Sequence, residues 1–256
     1  MTDGRWIWAM TGQEVETIVA GSMQGAGAIF RCLGILAAYV LSCGLVLLPI
    51  RFFTKVPSFI FRKLLHIVAV SGVCVMIAAA DSWPAAALTA VILAAVIYPL
   101  LAMLERKAWF GKLFVEKQPG EVKQSALLLL GMVAAVIAVC WGVFRKPHLA
   151  AASILMWGVG DAAAAMVGIP FGKHKVPLAD GKKSWEGSFA MLGCAFLVGS
   201  VALFLLQRSG LPRVLFFSGV GAFLGAAAEL FSPSEYDTVT VPLVIAAGLL
   251  LLDHWL

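Results

Sequence analysis

Residues 156–188 read MWGVGDAAAAMVGIPFGKHKVPLADGKKSWEGS. The stretch opens as an apolar helix of small residues carrying a single acid, Asp161, and closes at the start of a further apolar run. Between them a loop sets Lys173, Lys175, Lys182 and Lys183 among glycines. A greasy helix, a basic loop and another greasy helix describe a chain that leaves a bilayer, meets a charged surface and re-enters.

The rest of the chain repeats that pattern. Of 256 residues, 61% are hydrophobic and 13% charged, with a mean hydropathy of +0.96. A soluble domain of this length has no surface for so much apolar material. Apolar runs long enough to cross a ~30 Å hydrocarbon core are predicted at Ile29–Ile50, Leu64–Ala80, Trp83–Leu104 and Ser125–Phe144. Four more follow at Leu149–Ile169, Ser188–Leu206, Val214–Phe231 and Val239–Leu252. The expected fold is therefore an all-α integral membrane protein, about eight transmembrane helices in one bundle. No compositional break divides residues 29–256, read as one polytopic domain. Residues 1–28 are read as an interfacial segment, with Trp6 and Trp8 suited to a membrane surface. This segment lacks the basic start and compact apolar core of a cleaved signal peptide. Cys32, Cys43, Cys74, Cys140 and Cys194 form no CxxC or Cys/His cluster, which argues against a zinc site or a disulfide frame.

The net charge of +5 reads as an orientation signal, and no nucleic-acid partner is expected. Thirteen of the 19 Lys and Arg residues fall on one side of the eight spans, among them Arg62, Lys63, Lys117, Lys173 and Lys182. Arg5, Arg31, Arg145, Lys146, Arg208 and Arg213 fall on the other. The rich side is assigned to the cytoplasm, in a multi-pass protein of the cell membrane. The same sorting places every polar motif on that side.

Asp161 is the first such motif. A carboxylate on a transmembrane helix costs several kcal/mol unless paired or wet, and so marks function. Gly158 and Gly160 beside it allow a backbone or ligand to approach closely. The loop after it, with Lys173, Lys175, Lys182, Lys183, Asp180 and Glu186, suits a polyphosphate. Ser184 and Ser188 are placed to cap the next helix, whose N-terminus also favours anions. The glycine spacing is not that of a Walker A loop. At the start of the second span, Arg62 and His66 lie four residues apart on one helix face and can hold a phosphate. The seventh span carries Glu229, and Glu235 and Asp237 follow in the turn; carboxylates there can hold Mg²⁺ through water and substrate phosphates.

Taken in order, these motifs resemble those of the membrane kinase family of dolichol kinase, phytol kinase and CTP-dependent diacylglycerol kinase, a group distantly similar to phosphatidate cytidylyltransferases. The matching residues are Arg62, Lys63 and His66; Gly160, Asp161 and Gly168; Gly172, Lys173, Lys175, Gly181, Lys182, Glu186, Gly187 and Ser188; and Glu229, Pro233, Asp237, Thr240 and Pro242. They span Phe61 to Pro242, and Thr238 stands where the family usually has Asn. The resemblance implies a kinase that moves the γ-phosphoryl group of CTP or ATP, with Mg²⁺, onto the hydroxyl of a membrane lipid alcohol: polyprenol, phytol or diacylglycerol. It implies catalytic roles for Asp161 and His66. Phosphate contacts are implied for Arg62, Lys63, Gly168, Gly172, Lys173, Lys175, Lys182, Lys183 and Ser188, and metal contacts for Asp161, Glu186, Glu229 and Asp237. The alternatives are a cytidylyltransferase that makes CDP-diacylglycerol, disfavoured by the lack of a His-Gly-Gly motif, and an anion transporter, disfavoured because the charges sit near helix ends.

Overall fold

A computed structural model of the chain describes residues 12–107, 110–113, 120–177, 181–207, 210–233 and 236–256. The expectations attached to Arg5, Trp6, Trp8, Lys117, Asp180, Arg208 and Glu235 lie outside the described residues.

Among the described residues the regular elements are helical: α1 Gly12–Phe53, α2 Ser58–Ala79, α3 Trp83–Leu104, a single turn α4 Phe110–Leu113, α5 Glu121–Val136, α6 Pro147–Phe171, α7 Trp185–Gln207, α8 Leu211–Phe231 and α9 Asp237–Trp255. Eight of these are long and apolar enough to cross a membrane, α1 through its Gly25–Phe53 part and α5 together with the turn that extends it. The all-α membrane bundle expected from the sequence is the fold observed. Helix ends run past the apolar runs by several residues in places. Arg62, Lys63, Glu121, Glu186 and Asp237 all sit in helical turns, which hydropathy alone assigns to loops.

The helix α6 is the axis of the bundle: it packs against α2, α7, α8 and α9. Its buried residues include Leu149, Ile154, Met156 and Trp157. Small residues permit that crowding. A Cβ on Gly158 would stand 2.4 Å from Val70 Cγ1 of α2, and one on Gly160 would stand 3.0 Å from Met191 Cγ of α7. The close approach expected at these glycines is thus made by neighbouring helices. In contrast, α1 touches only α2 and α3 appreciably and exposes Phe30, Leu41, Leu45 and Phe52, as a lipid-facing helix does.

The helix α5 continues into a π-helical turn, Ile137–Val143, against which the Trp83 ring packs at Gly142. Such turns occur inside longer helices where the ladder widens by a residue. The eight spans alternate in direction. The C-terminal ends of α1, α3, α6 and α8 and the N-terminal ends of α2, α5, α7 and α9 therefore gather at one end, which is the lysine-rich end. The opposite end is tied by Arg31 to Asp81 and by Asp253 to Lys146 (2.7 Å) and Arg213 (3.1 Å).

Candidate active site

The first turns of α2 deliver a basic group to Asp161 of α6. Asp161 lies ten residues before the end of α6, about 15 Å along the helix axis, deeper than a helix-end position. Lys63 Nζ meets its Oδ2 at 2.6 Å, and His66 Nε2 stands 3.5 Å from the same oxygen. Lys63 and His66 are three residues apart and share a helix face. Arg62 turns instead to Glu121 Oε1 at the start of α5, 3.1 Å away, with 38% of its side chain exposed. The phosphate-binding pair expected on one face is therefore divided: Lys63, not Arg62, accompanies His66 to the acid.

A second ion cluster lies at the same end. Lys183 Nζ contacts Glu229 Oε1 at 2.8 Å and Asp237 Oδ2 at 3.2 Å. Ser188 Oγ donates to Glu229 Oε2 at 3.4 Å. The Lys183 and Glu229 side chains are only 9% and 8% exposed. Burial works against the Lys183 charge, but Glu229 and Asp237 outweigh it and hold the ammonium above the usual lysine range. The end of α8 is joined to the first turn of α9 by a 2.7 Å hydrogen bond between the Ser232 and Thr240 hydroxyls.

The loop between α6 and α7 folds back on itself. Lys175 and Ser184 form an isolated β-bridge, and Val176 N–H donates to Lys183 O. Ser184 Oγ accepts from Gly187 N–H and caps α7, whereas Ser188 serves Glu229 rather than the cap. Glu186 accepts from the backbone N–H groups of Lys173 and His174, both at 3.2 Å, and pairs with His174 Nδ1 at 2.7 Å. This carboxylate fastens the loop and is not joined to the other acids. Gly168 and Gly172 let the loop seat against α7: a Cβ on Gly172 would lie 2.5 Å from Ser184 Oγ. Lys173, Lys175 and Lys182 remain exposed along the loop.

Sequence reasoning missed Glu121, His174 and Trp157. The first two are found only through their partners. Trp157 had a signal: it precedes Asp161 by four residues and so shares its helix face. The His66 ring meets Trp157 edge-on, with centroids 5.0 Å apart. Among the described residues no three His, Cys, Asp or Glu side chains converge as a ready-made metal centre.

Comparison with known proteins finds phytol kinases. A phytol kinase of Synechocystis sp. is 39% identical over 98 residues, which is 38% of this chain and 41% of the relative. Its curated homologues are phytol kinases. Probable chloroplastic phytol kinases of Oryza sativa subsp. japonica and Glycine max are each 27% identical, over 209 and 191 residues. Those alignments cover 74% and 71% of this chain and 63% and 61% of the relatives. The chain thus spans between two fifths and just under two thirds of the length of these relatives. No family model and no solved structure matches. The resemblance to the polyprenol and phytol kinase family is borne out on its phytol kinase side.

Proposed function

We propose that this chain is a nucleotide-dependent kinase for an isoprenoid alcohol of the phytol class, working at the lysine-rich end of the bundle. The observation that carries the reading is Asp161. It is a membrane-embedded carboxylate held by Lys63, beside a second acid cluster and under a loop that presents exposed lysines. The names of the homologues supply the alcohol class. The nucleotide is CTP or ATP.

Phosphoryl transfer needs charge neutralisation and in-line positioning more than covalent chemistry. Lys173, Lys175 and Lys182 are placed to hold the β- and γ-phosphates, with Arg62 at the rim. Asp161 takes the hydroxyl proton while the alcohol oxygen bonds to the γ-phosphorus. The bond from that phosphorus to the β–γ bridging oxygen breaks, and the nucleoside diphosphate leaves. His66, 3.5 Å from the Asp161 carboxylate, is next in line for the proton. Asp161 and Asp237 are hard oxygen donors of the kind Mg²⁺ takes, one or two carboxylates with phosphates and water completing the shell. The ion would neutralise charge on the transferring group. Glu229 shares Lys183 with Asp237, and Glu186 is left to the loop.

The lysine-rich end is proposed to face the cytoplasm or the compartment equivalent to it. Sealed vesicles of one orientation test function and sidedness together. Nucleotide added on the side from which a cysteine at position 173 is labelled should be converted to its diphosphate, with phytyl phosphate formed, only when phytol is present in the bilayer. A cysteine replacing Arg145 should react from the other side. Labelling of both positions from one side would contradict the eight-span topology, and hydrolysis indifferent to phytol would contradict the kinase.

A further inference from the structure

Two buried nitrogen atoms near Asp161 have no hydrogen-bond partner among the described residues: His66 Nε2 and Trp157 Nε1. Trp157 is 1% exposed, so bulk water does not satisfy its indole N–H. A buried donor left unmade costs roughly 1–3 kcal/mol, and native proteins seldom leave one without a purpose. The two orphans are not scattered. Trp157 and Asp161 are one turn apart on one face of α6, and the His66 ring touches Trp157 while its Nε2 stands 3.5 Å from Asp161 Oδ2. That separation is too long for a direct hydrogen bond. A ring nitrogen, an indole N–H and a carboxylate oxygen thus stand on neighbouring turns of α2 and α6.

These three groups match a single oxygen atom that both donates and accepts. A carboxylate oxygen accepts its O–H, an indole N–H can only donate to it, and imidazole can do either. We infer that His66, Trp157 and Asp161 form the seat for a hydroxyl oxygen, and that Trp157 is a substrate-binding residue which donates to the hydroxyl of the lipid alcohol. The assignment rests on the kinase reading for its occupant; the same chemistry would also hold a water molecule. It explains why a full-length indole stands in the core of the bundle with its polar edge unpaired. It also gives the site a way to reject apolar lipids, because a site built to hydrogen-bond a hydroxyl strongly disfavours ligands lacking one.

The indole N–H signals of ¹⁵N-tryptophan-labelled full-length protein in lipid nanodiscs report this seat without needing turnover. The Trp157 signal is the one missing from the Trp157→Phe spectrum. Phytol should move it in the absence of nucleotide, and phytene, the same chain without the oxygen, should not. Trp157→Phe removes the donor together with part of the ring, so some thermal stability is lost with it. It should raise KM for phytol roughly tenfold, as loss of one neutral hydrogen bond does, with KM for nucleotide unchanged. A Trp157 signal indifferent to both lipids, in protein that phosphorylates phytol, would mark a water site and overturn the inference while leaving the kinase intact. A signal moved by phytol alone, in protein that phosphorylates no alcohol with either nucleotide, would uphold the seat and remove the kinase.

Discussion

Asp161→Asn should lower turnover by roughly 10³-fold, equivalent to about 4 kcal/mol of transition-state stabilisation. The substitution keeps the shape of the side chain and removes the charge that accepts the hydroxyl proton. It also leaves the Lys63 ammonium, 2.6 Å away and largely buried, without its counter-ion. Some loss of stability therefore accompanies the loss of activity, on the order of 1–3 kcal/mol. The two effects separate in the double variant. Adding Lys63→Met to Asp161→Asn removes the stranded charge and should restore the unfolding midpoint without restoring turnover. Turnover near that of the wild type in well-folded Asp161→Asn protein would remove this residue from the chemistry.

The largest effect on stability is expected at Lys183. Its ammonium serves two acids, Glu229 and Asp237, in a setting where the lysine and Glu229 are almost fully buried. Lys183→Met leaves both carboxylates without their counter-ion. Breaking a buried pair from one side typically costs about 3–5 kcal/mol, far more than the intact pair contributes over an apolar substitute. The midpoint of unfolding in detergent should fall accordingly. Adding Glu229→Gln should recover much of the loss, since a neutral amide can still accept from Ser188. An unchanged midpoint in Lys183→Met would mean that Lys183 is free to hold phosphate and that the acids are satisfied without it.

Much of this architecture is written in hydropathy. Eight runs of apolar residues have one inexpensive arrangement in a bilayer, because a helix satisfies its own backbone groups. The uneven placement of Lys and Arg then puts Asp161, the 172–184 loop and the Ser-Pro-Ser turn at one end. The choice between Arg62 and Lys63 was not legible. It depends on the rotation of α2 about its own axis relative to α6, which packing at Gly158 against Val70 sets. A metal contact for Glu186 came only from the resemblance to the membrane kinases. Its partners are backbone N–H groups thirteen and twelve residues away, brought to it only when the loop closes. Trp157 was hidden for another reason: hydropathy treats an indole as apolar surface and is blind to its N–H. The π turn at Ile137–Val143 has no composition signature beyond Gly142, which receives the Trp83 ring.

The central claim is that the γ-phosphoryl group of a nucleotide reaches a lipid hydroxyl at this site. Purified protein in lipid nanodiscs, given phytol, Mg²⁺ and CTP or ATP labelled separately at the α- and γ-phosphates, tests it most directly. The account predicts that phytyl monophosphate carries the γ label alone, and that Asp161→Asn forms almost none. A lipid product carrying the α label and cytidine would identify a cytidylyltransferase and contradict the account.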